Sequence, residues 1–191
     1  MISSLTLGPN GLKTAQRATL KRLIWWPGTE LNRRRQPFQC YVNPAVGYRF
    51  DYKGRSVVFF SGDTIRWPNV VTHAANADVL IRETQSEEAK RILVQAFRRN
   101  GQDQLAEVMT GTSRYHTTAL DAASVANEAN VRLLVFDHLG PSPPDNLLTR
   151  LIFARGLNKI RPQSQWRIGF DGMIIDLPAG ARAIQFAPKL R

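Results

Sequence analysis

Three short apolar runs, each followed at once by an acidic or imidazole side chain, constrain this chain more than any other feature. Val57-Val58-Phe59-Phe60 leads through Ser61-Gly62 to Asp63. Ala77 to Ile81 leads to Arg82-Glu83, and Val131 to Phe136 leads to Asp137-His138. Runs of this length and composition read as strands buried on both faces. Gly62 allows the sharp turn after the first of them, having no Cβ to clash. The rim of a buried sheet, at strand ends, is where α/β folds place their chemistry. Alone, each residue also has a plainer reading: Asp63 as a helix cap, Glu83 as a solvated strand-end charge.

The segments around these runs complete an α/β pattern. Tyr48 to Asp51 alternates, Lys53-Gly54 makes a hairpin turn, and Ser56 to Ser61 returns as the second strand. Trp67-Pro68-Asn69 opens a short helix over Val70 to Ala75, with His73 on its surface. Ser86 to Asn100 carries a helical stripe at Ala89, Ile92, Leu93 and Ala96, and Gln102 to Met109 reads as a further short helix. Thr118-Ala119-Leu120-Asp121 fits a capping box for a helix running to Ala129, just after Tyr115-His116-Thr117. Leu139 to Pro144 is a proline-rich rigid loop, and Asn146 to Ala154 reads as helix. Trp166 to Phe170 and Met173 to Leu177 read as a last hairpin around Asp171-Gly172.

Composition narrows the function classes. No apolar run approaches the ~20 residues of a bilayer span. A single cysteine, Cys40, excludes an internal disulfide framework and any CxxC zinc site, and favours a reducing compartment. Ser61 and Ser113 lack a nucleophile-elbow context, which argues against a serine hydrolase. The net charge of +11 is uneven: residues 1–36 hold seven Lys or Arg against one acid, Glu30. The rest is mildly basic, which permits a polyanionic substrate without demanding one.

Residues 1–40 read as separate from the domain. Met1 to Arg22 is acid-free and Ser/Thr-containing, a composition that also suits an organellar transit peptide. Trp25-Trp26 and Arg33-Arg34-Arg35 suit a basic nucleic-acid-binding arm. The stretch from Trp25 to Gln39 also resembles the peptide that results when sequence around a transfer-RNA gene is translated by mistake. The expected organisation is a leader over 1–40, a domain over 46–177 and a tail over 178–191, in a cytoplasmic protein with no membrane partner.

Read together, Ser61-Gly62-Asp63-Thr64, Ala77 to Thr84, Tyr115-His116-Thr117-Thr118 and Asp137-His138-Leu139-Gly140-Pro141 resemble the metallo-β-lactamase-fold hydrolases. The nearest likeness is to the ribonuclease Z-like branch, which cuts transfer-RNA precursors at their 3′ end. The likeness covers roughly Val46 to Leu177, the second half of such a domain. It implies Asp63 as a carboxylate bridging two zinc ions and His138 as a ligand of the second. It implies His116 with Glu83 as the pair that protonates the leaving group. It also implies an RNA substrate and a homodimer. The chain departs from the family at Arg82, where a histidine is usual. It also lacks the first-half signature His-x-His-x-Asp-His, having only His73, His116 and His138. A catalytic zinc normally has three protein ligands, and two remain here.

The expectation is therefore the C-terminal half of an αββα sandwich: a mixed sheet with helices on one face and the other face exposed or clumsily covered. This is half of a zinc-dependent phosphodiesterase, inactive without its N-terminal half. The alternatives are a hydrolase of small esters, lactones or sulfates on the same fold, or a non-catalytic product.

Overall fold

The computed structural model describes residues 22–26, 45–60, 64–66, 68–141 and 146–187. The main sheet has six strands: β1 (Arg22–Trp26), β2 (Ala45–Tyr52), β3 (Arg55–Phe60), β4 (Val79–Gln85), β5 (Leu133–Gly140) and β6 (Trp166–Ile168). Their spatial order is the chain order. β1, β2 and β3 pair antiparallel, and β3 through β6 run parallel. Lys53 and Gly54, both at positive φ, make the turn between β2 and β3. The sheet is mixed, as the sequence predicts. β1 lies within the stretch read as a leader, most of which is outside the described residues.

Parallel neighbours require crossovers, and helices supply them. α1 (Pro68–Ala74) links β3 to β4. α2 (Glu87–Arg99), α3 (Asp103–Gly111) and α4 (Ala119–Glu128) link β4 to β5. α5 (Leu147–Phe153) and α6 (Leu157–Ile160) link β5 to β6. Thr118 caps α4 as its sequence suggests: its hydroxyl accepts from the Asp121 backbone N–H at 3.1 Å and donates to the Asp121 carboxylate at 2.8 Å. In α2 the predicted stripe is only partly the packed one, since Ile92 is exposed and Lys90 is buried against Glu87 and Ser113.

Alternation along the strands splits the core in two. Val58, Leu80, Leu134 and Phe136 face the helices and pack against Val70, Ala122, Val125, Leu157 and Trp166. Phe136 is fully buried, with the Phe153 ring edge-on at 5.5 Å. Val57, Val79, Leu133 and Val135 face the other way.

Two expectations need correction here. Trp166 to Phe170 and Met173 to Leu177 do not form a hairpin. β6 joins β5 in parallel, whereas β7 (Ile174–Asp176) pairs antiparallel with β8 (Gln185–Ala187) in a sheet of its own. Nor is the second face of the main sheet left exposed. Ile175 and Leu177, with Met173 and Ile184, pack onto Val57, Val79, Leu133 and Val135. The apolar face thus finds a cover within the chain.

That cover is held by a buried charge cluster at the opposite end of the sheet from Glu83. Arg55 grips Asp78 through two bonds of 3.1 and 3.0 Å, and the Ser56 N–H donates to the same carboxylate at 2.9 Å. Arg132 adds a second cation at 2.6 Å. Arg55 then reaches the carbonyls of Pro178, Ala181 and Ala183. Burial alone would raise the Asp78 pKa, but the Ser56 N–H and the two guanidinium groups outweigh it and hold the carboxyl below its ordinary value.

Candidate active site

Glu83 lies near the C-terminal end of β4 and is 1 % exposed. A carboxylate in such a place needs partners, and the loop before α4 provides them. Oε2 is 3.0 Å from His116 Nδ1, and Oε1 accepts the Thr117 N–H at 3.2 Å. The Thr64 N–H reaches the same oxygen more weakly, at 3.4 Å. The loop is docked by main chain as well, the Gln85 N–H donating to the Thr117 carbonyl at 2.8 Å.

His116 is thus presented by a buried carboxylate. With Nδ1–H donating to Glu83, Nε2 becomes the position that exchanges a proton with anything bound beside it. Tyr115 lies against the ring at 4.7 Å between centroids. The His138 ring lies 6.4 Å from that of His116 between centroids, inclined by 24°.

His138 reaches that position through a backbone irregularity. The register of β4 with β5 shifts after the pair Glu83 and Asp137, so that Thr84 faces Leu139 and His138 is the additional residue. Its φ is +43°, in the left-handed region. Bulges of this kind re-aim a side chain beside a site, at a cost of order 1 kcal/mol for a non-glycine residue. An apolar run followed by Asp-His carries no signal of it.

Arg82, a mere departure from pattern in the sequence, fastens the two loops together. It is fully buried, and one nitrogen of its guanidinium donates to the carbonyls of Thr64 at 2.8 Å and Ile65 at 3.0 Å. The same nitrogen contacts the Thr117 hydroxyl, which itself donates to the Thr64 carbonyl. Nε and the other terminal nitrogen have no hydrogen-bond partner among the described residues. Burial lowers its pKa to about 10, against the opposing pull of Glu83 and Asp121, so it stays cationic at neutral pH.

The structure therefore brings His116, Glu83 and His138 to one end of the sheet. Asp63 lies outside the described residues, and its role stays an expectation from the sequence. No group of three or more His, Cys, Asp and Glu side chains among the described residues is arranged to hold a metal ion. The donor set does not fit a catalytic zinc by itself, because Glu83 is committed to His116 and the Thr117 N–H. Among the described residues no helix is long and apolar enough to cross a membrane.

No family model matches the chain. It is 32 % identical over 128 residues to ribonuclease Z of Myxococcus xanthus, a match covering 65 % of this chain and 34 % of that protein. It is 33 % identical over 89 residues to ribonuclease BN of Proteus mirabilis, covering 47 % and 23 %. A ribonuclease Z of Mycobacterium tuberculosis is 32 % identical over 101 residues, covering 53 % and 33 %. Among solved structures, a metallo-β-lactamase-fold protein of Bacillus subtilis aligns with 69 % of this chain and 44 % of its own, at 20 % identity and a TM-score of 0.46. The short form of human tRNase Z aligns with 50 % and 31 %, at 22 % identity and a TM-score of 0.35. The main sheet itself is mixed and mostly parallel, with helices in its parallel crossovers. The curated proteins the chain resembles, at about a third identity over part of their length, are named ribonuclease Z or ribonuclease BN. The chain spans between 23 % and 40 % of the length of the curated relatives it matches.

Proposed function

We propose that this chain is the C-terminal half of a ribonuclease Z-like phosphodiesterase acting on transfer-RNA precursors, and that it supplies the proton donor for the leaving oxygen. The observation that carries this reading is the buried Glu83 carboxylate 3.0 Å from His116 Nδ1. A carboxylate so placed fixes the ring with Nδ1 towards Glu83 and leaves Nε2 as the nitrogen that can pass a proton to the leaving oxygen. Arg82 holds the two flanking loops in register while this happens. In the intact enzyme zinc would supply an activated water. Asp63 and His138 are the residues of this chain that would help hold it, and the other ligands would come from a first half carrying His-x-His-x-Asp-His. With the second sheet face covered, the half-enzyme reading rests on this missing ligand set and on the limited span of the relatives.

The test is cleavage of a 3′-extended transfer RNA and of a generic phosphodiester, with added zinc. It uses the 191-residue chain alone and fused behind such a first half. The chain alone stays at background and the fusion cleaves. His116→Ala or Glu83→Gln in the fusion lowers kcat by roughly 10²- to 10⁴-fold, the usual range for a general acid. Zinc-dependent cleavage by the chain alone, or full activity in the His116→Ala fusion, overturns the reading.

A further inference from the structure

A cleft of about 670 Å³ opens at the start of β5, at the far end of the sheet from Glu83 and His116. Five residues of strand separate Leu133, in its wall, from His138, about 17 Å at strand rise. Three arginines line the cleft, Arg132, Arg161 and Arg167, and among the described residues no carboxylate does. Asp78, behind Arg132, is already shared with Arg55. Arg161 is 2 % exposed and among the described residues meets only neutral acceptors: the Asn127 side chain at 2.6 Å, the Gln165 carbonyl at 3.1 Å and the Val131 carbonyl. Arg167 donates to the carbonyls of Gln163 and Trp166, both at 2.7 Å, so its charge is likewise uncompensated by an acid. Its guanidinium lies 5.2 Å from the centre of the Phe186 ring, and Phe186 is 44 % exposed at the cleft wall.

A concave wall with uncompensated guanidinium groups attracts anions. An exposed aromatic ring beside them, held by a cation, offers a platform for a planar base. The combination of phosphate-binding cations and a stacking ring in one cleft selects a nucleotide unit over a plain anion or an apolar ligand.

We propose that this cleft is a second nucleic-acid subsite, in which Arg167 and Arg132 receive a backbone phosphate of single-stranded RNA and Phe186 stacks on the adjoining base. It goes beyond the proton-donor reading and does not depend on catalysis, so binding and cleavage can fail separately.

The test is fluorescence anisotropy of a short fluorescein-labelled oligouridylate with the full 191-residue chain, titrated over a range of salt concentrations. The basic residues before β2 are retained in every variant, so differences between variants report the cleft. Phe186→Leu keeps apolar volume and removes stacking, and weakens binding about tenfold or more. Arg167→Gln weakens it and lowers the slope of log affinity against log salt by about 1. Phe186→Tyr retains a ring and retains affinity, which separates stacking from any loss of fold seen in thermal melts. Arg98→Gln, on α2, leaves affinity within about twofold, as expected for a lone surface charge. Wild-type affinity in both Phe186→Leu and Arg167→Gln overturns the proposal. Weakening by Arg167→Gln with no effect of Phe186→Leu overturns it in favour of a plain anion site, which inorganic phosphate would then occupy in competition with the oligonucleotide.

Discussion

Asp78→Asn tests how the second face of the sheet is held. The Asp78 carboxylate receives four hydrogen bonds, two from Arg55, one from the Ser56 N–H and one from Arg132. Asparagine keeps one acceptor oxygen but turns a donor towards donors, so about half of these bonds are lost and Arg55 is left buried without its counter-ion. Removing one partner of a buried pair costs about 3–5 kcal/mol. The Arg132 end is 34 % exposed and is discounted for screening, which puts the expected loss at about 3 kcal/mol. With a urea m-value of about 2 kcal/mol/M, the midpoint falls by about 1.5 M. Because Arg55 also grips the carbonyls of residues 178, 181 and 183, limited proteolysis cuts this segment sooner in the variant. The effect depends on pH with a defined sign. The native pKa lies below the model-compound value of 3.8, so the stabilisation is fully present above about pH 4 and is lost as pH falls through the native pKa. Wild type and variant therefore converge in acid. A midpoint shift below about 0.5 M at pH 7, or a difference that persists in acid, refutes the assignment; the first threshold corresponds to about 1 kcal/mol.

Three further substitutions probe the sheet. His138→Gly relieves the left-handed backbone at φ +43° and leaves urea stability unchanged or raised by up to about 1 kcal/mol, although it deletes a site residue. Gly169→Ala places a Cβ 2.7 Å from the Phe136 carbonyl oxygen, a contact with backbone that cannot rotate away; it lowers stability by about 1–3 kcal/mol, the usual cost of overpacking, and a melt within 1 °C of wild type would contradict it. Phe136→Ala empties the contact between Phe153 and Trp166 and costs about 3–5 kcal/mol in urea titration.

The sequence by itself determined the strands and what stands at their ends. Val57 to Phe60, Ala77 to Ile81 and Val131 to Phe136 are apolar beyond one-face alternation, and only strands buried on both sides accommodate such runs. The α4 cap was equally legible, because Thr118 and Asp121 act on one another across a single turn. The same reading placed Glu83, His116 and His138 at strand or helix ends, and their convergence follows from parallel strands sharing one C-terminal edge.

Tertiary structure decided what depends on partners distant in the chain. The fate of Met173 to Leu177 turned on an apolar sheet face built by Val57, Val79, Leu133 and Val135 from three distant strands, so a local hairpin signal at Asp171-Gly172 was overruled by burial. The bulge at His138 arises from the register between β4 and β5, which neither strand encodes alone. Arg82 reads as a stray charge in an apolar strand until Thr64, Ile65 and Thr117 are brought round it. A buried guanidinium is tolerable only where folding supplies carbonyl and hydroxyl oxygens for it, and those oxygens belong to segments that meet only in the folded chain.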